Sequence, residues 1–115
     1  MKTILKKIAL AFTLQALVVN ATPVTGPSFD ALTKLVQYGE FIGEAAACKV
    51  TAETYKEKIL PVLLKMVNDK VSRGLLTDDE AREAIQSGID YGKQAQLGGV
   101  GKSTCSEIDA YLESH

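Results

Sequence analysis

The sequence is short of the residue types on which most catalytic and metal sites depend. It has no tryptophan, a single histidine at the last position (His115), and two cysteines among 115 residues. One imidazole at a chain terminus leaves little for acid–base catalysis. A Cys or Ser nucleophile needs a base beside it, and none is evident in the sequence. We therefore predict that the protein is not an enzyme and has no catalytic residues, no cofactor and no metal.

Long apolar runs are also missing. The composition, with 46% hydrophobic and 23% charged residues, is typical of one small globular domain. The apolar stretch 8–19 covers 12 residues, whereas a membrane-spanning helix needs about 20. The sequence therefore predicts no membrane anchor.

The first 21 residues have the layout of a secretory signal peptide. Three lysines precede the apolar stretch, and small residues around Ala21 provide a cleavage site. We expect a signal peptide at 1–21, an irregular leader at 22–28 and a single helical domain at 29–115. This predicts a periplasmic or secreted protein that is not inserted in the membrane after cleavage.

Removal of the signal peptide makes the chain acidic. Ten basic residues then stand against fourteen acidic ones, a net charge of −4. Nucleic acids and anionic lipids require a basic surface. We therefore expect no nucleic-acid partner.

The domain reads as all-α, because its apolar residues recur at three- and four-residue steps and never alternate over a long stretch. We predict a first helix at 29–47, a second at 52–73, a third from Thr77 to Gly98 and a short fourth from Cys105. Two helix starts, Thr77/Glu80 and Thr104/Glu107, have capping-box spacing. The inward face of the first helix is predicted to hold Phe29, Leu32, Leu35, Val36, Gly39, Ile42 and Ala46. That of the fourth is predicted to hold Cys105, Ile108 and Leu112.

The second helix is apolar on most sides, which is typical of a central helix packed on two faces. Pro61 lies inside it and has no N–H to donate to Glu57, so we expect a kink or break there. If the bundle does not cover Leu60, Leu64 and Val71, they form an apolar docking patch.

Short connections make neighbouring helices antiparallel, which brings the ends of the first and third helices to the same end of the bundle. Cys48 ends the first helix and Cys105 follows the third, 57 positions later. We predict a disulfide between them, worth about 4 kcal/mol in a chain-entropy account. The fold class is then a small helical bundle of three long helices and one short C-terminal helix, held by one disulfide.

Four glycines lie at four-residue spacing, Gly39 and Gly43 on the first helix and Gly88 and Gly92 on the third. This spacing places small residues on one face and permits close backbone approach. Two interpretations stay open: a close helix crossing inside the bundle, which we favour, or a groove for a partner.

The segment 98–104 (GGVGKST) resembles the deviant Walker A motif of the MinD/ParA ATPases, in which a lysine precedes the two glycines. Leu97 occupies that position here, and a helix instead of a strand precedes the loop. We predict a helix stop, not a nucleotide site.

The segment 69–80 has the frame of an EF-hand loop, with Asp69, Gly74 and Glu80 at the matching positions. Val71 and Arg73 stand where calcium needs oxygen ligands. We expect no calcium site, because caps of a helix–turn–helix explain the same residues. The acid pairs Asp78/Asp79 and Glu40/Glu44 are expected to be solvated, not catalytic.

The leading functional hypothesis is a non-enzymatic protein that binds another protein, as an accessory, inhibitor or immunity factor in the envelope or outside the cell. The alternative is a structural or chaperone-like envelope component. A calcium-binding or enzymatic role is the third reading. The oligomeric state stays open.

Overall fold

A computed structural model describes residues 27–115, and all regular structure in that part of the chain is helical, without strands. The predicted signal peptide and residues 22–26 of the predicted leader lie outside the described residues. The elements, in chain order, are α1 (Phe29–Ala47), α2 (Ala52–Thr54), a π-helical turn (Tyr55–Ile59), α3 (Leu60–Ser72), α4 (Asp78–Leu97) and α5 (Cys105–Ser114).

The helix starts follow the capping residues read from the sequence. The hydroxyls of Ser28, Thr51, Thr77 and Thr104 each accept a backbone N–H of the following turn. At Thr77 and Thr104 the glutamate three residues later accepts the cap residue's own N–H, so both capping boxes are complete.

The centre of the molecule is the pair α1 and α4, which run parallel. Gly39 faces Ile85 and Gly88, whereas Gly43, one turn later, faces Ile89 and Lys93. Parallel packing places the C-terminal ends of both helices together, as the predicted topology requires.

The predicted second helix is interrupted. It begins as α2, widens into the π-helical turn, in which the Leu60 N–H donates to the Tyr55 carbonyl, and resumes as α3 with Pro61 in its first turn. The disruption therefore falls just before Pro61, where the missing N–H breaks the α-helical pattern. α3 ends at Ser72, one residue before the predicted end.

The prediction that this helix is central was wrong. α3 has no buried residue, and Leu64 is 59% exposed. The helix is apolar on most sides but packs against α1 and α4 on one side only. Its periodicity identified apolar residues without showing how many neighbours would cover them.

Two apolar clusters form the core. One fills the space around the first half of α1 and α4, and its buried members are Ala31, Leu35, Leu76, Ala81, Ala84 and Ile85. The other holds α5 against the second half of α1, and its buried members are Ile42, Ala45, Ile59, Ile108 and Leu112.

Three positions predicted to face inward are exposed. Phe29, at the first position of α1, is 81% exposed, and Ala46 also faces solvent. Cys105 is exposed at the start of α5, although Ile108 and Leu112 on the same helix are buried. Helix ends carry the periodic pattern beyond the region that a neighbouring helix covers.

Candidate functional site

The four glycines lie in the crossing between α1 and α4. A Cβ built on Gly88 would overlap the Val36 carbonyl oxygen and lie 3.0 Å from the Gly39 Cα. A Cβ on Gly92 would overlap the Glu40 carbonyl oxygen. The two backbones are thus in direct contact, and this glycine face is occupied inside the molecule.

Glu44 is the main buried charged group near this crossing. Its residue is 4% exposed, on the last turn of α1. Its carboxylate accepts the backbone N–H groups of Lys102 and Ser103, both at 3.2 Å. Glu44 therefore ties the loop that follows α4 to the end of α1.

This contact explains what the glycine-rich segment 98–104 does. In a phosphate-binding loop, successive backbone N–H groups point at the ligand. Here two of those N–H groups donate to an internal carboxylate instead. The helix α4 ends at Leu97 as predicted, with Gly99 at φ +80°.

The expectation that the acid pairs are solvated was wrong for Glu44, which is buried because its carboxylate accepts two N–H groups of the loop after α4. The other acids of these pairs have separate roles. Glu40 forms an ion pair with the Lys102 ammonium group at 2.8 Å, on the same loop that Glu44 holds. The carboxylate of Glu40 raises the pKa of Lys102. Asp78, at the start of α4, pairs with Arg82 one turn later.

The sulfur atoms of Cys48 and Cys105 lie at disulfide-bonding distance, with Cα atoms 5.4 Å apart. The Gln96 side-chain amide, on the last turn of α4, donates to both sulfurs, at 3.3 Å and 3.5 Å. The cysteine pair therefore connects the end of α1 to the start of α5, and the hydrogen bonds of Gln96 bring the end of α4 to the same place.

The residues that match the EF-hand loop cap a helix and form ion pairs in this structure. The Asp69 carboxylate contacts Lys70 and Arg73, which lower its pKa. Glu80 accepts the Thr77 N–H at 2.8 Å, and Gly74 has φ +73° in the turn. Among the described residues, no group of three or more His, Cys, Asp or Glu side chains could hold a metal ion.

An apolar groove of about 620 Å³ lies between α3 and α4. Its apolar lining consists of Leu63, Leu64, Val67 and Ile85. A polar rim on α4 is formed by Asp78, Arg82, Glu83 and Gln86. Of the three residues predicted as a leftover patch, Leu64 lines this groove and is exposed, whereas Leu60 and Val71 are half-buried.

An aromatic cluster joins α1 to α5. Tyr38 and Phe41 have ring centroids 5.7 Å apart, and Phe41 meets Tyr111 edge-to-face at 5.4 Å. His115 stacks on Tyr111 at 4.0 Å. The histidine thus extends the cluster at the chain end, and its Nδ1 lies 2.8 Å from the Tyr111 carbonyl oxygen.

Tyr38 gives this cluster a measurable pH dependence. Burial, assisted by Tyr111 and Tyr55, raises the pKa of Tyr38 to about 12, and its hydroxyl donates to the Ile59 carbonyl. Because the folded state favours the neutral phenol, its stabilising contribution is complete below the unfolded pKa of about 10 and is lost as the pH rises towards 12.

We expect a spectrophotometric titration of the tyrosines to show one late step near pH 12. Tyr38→Phe should remove that step. Tyr91→Phe, a change at an exposed tyrosine on α4, should leave it in place. A late step that persists in Tyr38→Phe would contradict this assignment.

Comparisons of the chain with protein-family models, curated proteins and solved structures find no match. None of the helices among residues 27–115 is long and apolar enough to cross a membrane.

Proposed function

We propose that this protein is exported and acts by binding another protein, as an accessory, inhibitor or immunity factor in the envelope or outside the cell. The observation that carries the proposal is the groove between α3 and α4. It is apolar at its base, polar at its rim and open to solvent.

The groove has the composition of a docking site. Leu64 is 59% exposed beside Leu63 and Val67, in a helix that contributes no buried residue. Small proteins seldom leave a contiguous apolar surface uncovered unless something binds there. An apolar centre with a charged rim is the usual arrangement of a protein interface.

Two features support export. The N-terminal sequence has the pattern of a signal peptide. The cysteine pair at disulfide distance is typical of oxidising compartments outside the cytoplasm.

The test compares two surface variants of the oxidised protein in pull-downs from envelope and secreted fractions. Leu64→Asp places a charge in the groove and should lower the affinity for the partner by at least about tenfold, which would be seen as loss of capture. Its matched control is Val100→Asp, which adds the same charge at a residue 76% exposed in the loop after α4. This control should bind like the unmodified protein.

The outcomes separate the functional classes. One stoichiometric partner lost only in Leu64→Asp supports the proposal. Many clients captured through the same groove favour the chaperone-like alternative. Binding unchanged in Leu64→Asp would overturn the assignment of the groove, provided that circular dichroism shows both variants folded.

A further inference from the structure

Aromatic rings gather around a cavity at the junction of α1 and α5. The chain has three phenylalanines and four tyrosines, and three of these rings line this one cavity of about 380 Å³. Its lining residues are Tyr38, Phe41, Ser103, Glu107, Ile108 and Tyr111. None of them lines the groove between α3 and α4. The volume lies within the range of small-molecule sites, which are about 300 to 1,000 Å³.

The rings are placed so that one guest can contact more than one aromatic face. Phe41 and Tyr111 meet at 71° with centroids 5.4 Å apart, so their faces form a corner. Tyr38 lies 5.7 Å from Phe41 on the α1 side. Tyr111 is 47% exposed, and the other two are half-buried. His115 stacks on Tyr111 without lining the cavity. The corner between Phe41 and Tyr111 is therefore open to a guest.

The charge of the lining is negative. Among the described residues, its one charged group is the Glu107 carboxylate, which accepts the Thr104 N–H through one oxygen and makes no ion pair within residues 27–115. Lys102, next to Ser103, pairs with Glu40 and does not line the cavity. An unpaired carboxylate beside aromatic faces attracts a cation and repels an anion.

A quaternary ammonium group fits this lining better than a primary amine. Its charge is attracted to ring faces, and it has no N–H group that needs an acceptor. A primary ammonium group brings three N–H donors, and one oxygen of the only carboxylate in this lining is already engaged by Thr104. We propose that the cavity between α1 and α5 binds a small, free quaternary ammonium compound, whose cationic head contacts Phe41 and Tyr111 beside Glu107.

The direct test titrates the oxidised, isotope-labelled protein with choline at constant ionic strength and follows the amide signals by NMR. We expect saturable shifts at the lining residues. The neutral isostere of choline, in which a carbon atom replaces the nitrogen, has the same shape without the charge and should bind at least about tenfold more weakly. Equal binding of the two compounds, or no saturable shift with choline, would overturn the proposal.

Two further probes define the class of cation and its source. Ethanolamine is the primary-amine analogue of choline and should bind about tenfold more weakly. Vesicles of phosphatidylcholine present the same cation behind a phosphate, for which the lining has no basic residue among those described, so the protein should not sediment with them. Equal affinity for ethanolamine, or binding to the vesicles without binding of free choline, would contradict the assignment.

Glu107 provides the matched substitution. Glu107→Gln keeps an acceptor for the Thr104 N–H and removes the charge, so the affinity for choline should fall about tenfold while that for the neutral isostere stays the same. Glu113→Gln makes the same change on the same helix in the wall of a different cavity and should alter neither. Equal losses of choline affinity in both variants would exclude a specific role of Glu107 and overturn the site.

The rings are tested in the same way. Tyr111→Leu should abolish the saturable choline shifts, whereas Tyr91→Leu, at an exposed tyrosine of α4, should leave them unchanged. Choline binding that persists in a folded Tyr111→Leu variant would contradict the aromatic contact. If Tyr111→Leu does not fold, the comparison of Glu107→Gln with Glu113→Gln still decides. Failure of these tests leaves the groove between α3 and α4 unaffected, because the two sites share no lining residue.

Discussion

Gly88→Leu is expected to unfold the protein or to lower its free energy of unfolding by at least about 4 kcal/mol. A Cβ at this position already overlaps the Val36 carbonyl oxygen and lies 2.9 Å from the Glu40 nitrogen. These are backbone atoms that no side-chain rotation can move. α1 and α4 would have to separate, which would open the core cluster that lies between them.

Gly88→Ala gives a sharper test, because two effects have opposite signs. In an unconstrained helix, alanine in place of glycine stabilises by about 1 kcal/mol. At Gly88 the added Cβ would overlap the Val36 carbonyl oxygen. This overlap is expected to destabilise the protein by more than the roughly 1 kcal/mol that the helix propensity of alanine contributes. Chemical denaturation measures the difference, with Lys93→Leu, a change at an exposed side chain of the same helix, as the near-neutral control. A stabilised Gly88→Ala would show that the two helices do not touch at this point.

The helix boundaries were predictable because the signals that set them are local. Thr77 and Thr104 each bind groups within three residues of themselves, so their sequence context contains the whole interaction. The position of Cys48 beside Cys105 also followed, since the parallel order of α1 and α4 depends only on short connections.

The place of α3 could not be predicted from the same signals. Periodicity shows which side of a helix is apolar, but coverage depends on how near the other helices come. The glycines bring α1 and α4 into backbone contact, so these two helices form the central pair without α3 between them. α3 is left on the outside of the pair, and the groove beside Leu64 is the consequence.

Glu44 was missed as a structural residue because its partners are distant in sequence. On the helix it reads as one more acid, one turn after Glu40. The N–H groups that it accepts lie 58 and 59 positions later. The glycine-rich loop 98–104 did carry a signal, since such loops present backbone N–H groups to anions. The sequence did not show that the anion is internal.

Glu44→Leu is expected to lower the free energy of unfolding by about 2 to 4 kcal/mol, because two N–H groups lose their acceptor in a part-buried site. The loop after α4 should open before the rest of the protein unfolds. Hydrogen exchange at the Lys102 and Ser103 amides should accelerate more than at the core of α4. Denaturation and amide exchange measure the two effects.

Two control variants distinguish the loss of the Glu44 acceptor oxygens from the loss of its charge and from the general effect of replacing a glutamate on a helix by leucine. Glu44→Gln retains one acceptor oxygen of nearly the same shape and should cost about half as much. Glu83→Leu, at a half-buried position on the groove side of α4, removes a carboxylate that makes no ion pair or hydrogen bond within residues 27–115 and should change stability by less than about 0.5 kcal/mol. If Glu44→Leu proved as harmless as Glu83→Leu, the loop would be held by the Glu40–Lys102 ion pair and the disulfide alone, and Glu44 would have no structural role.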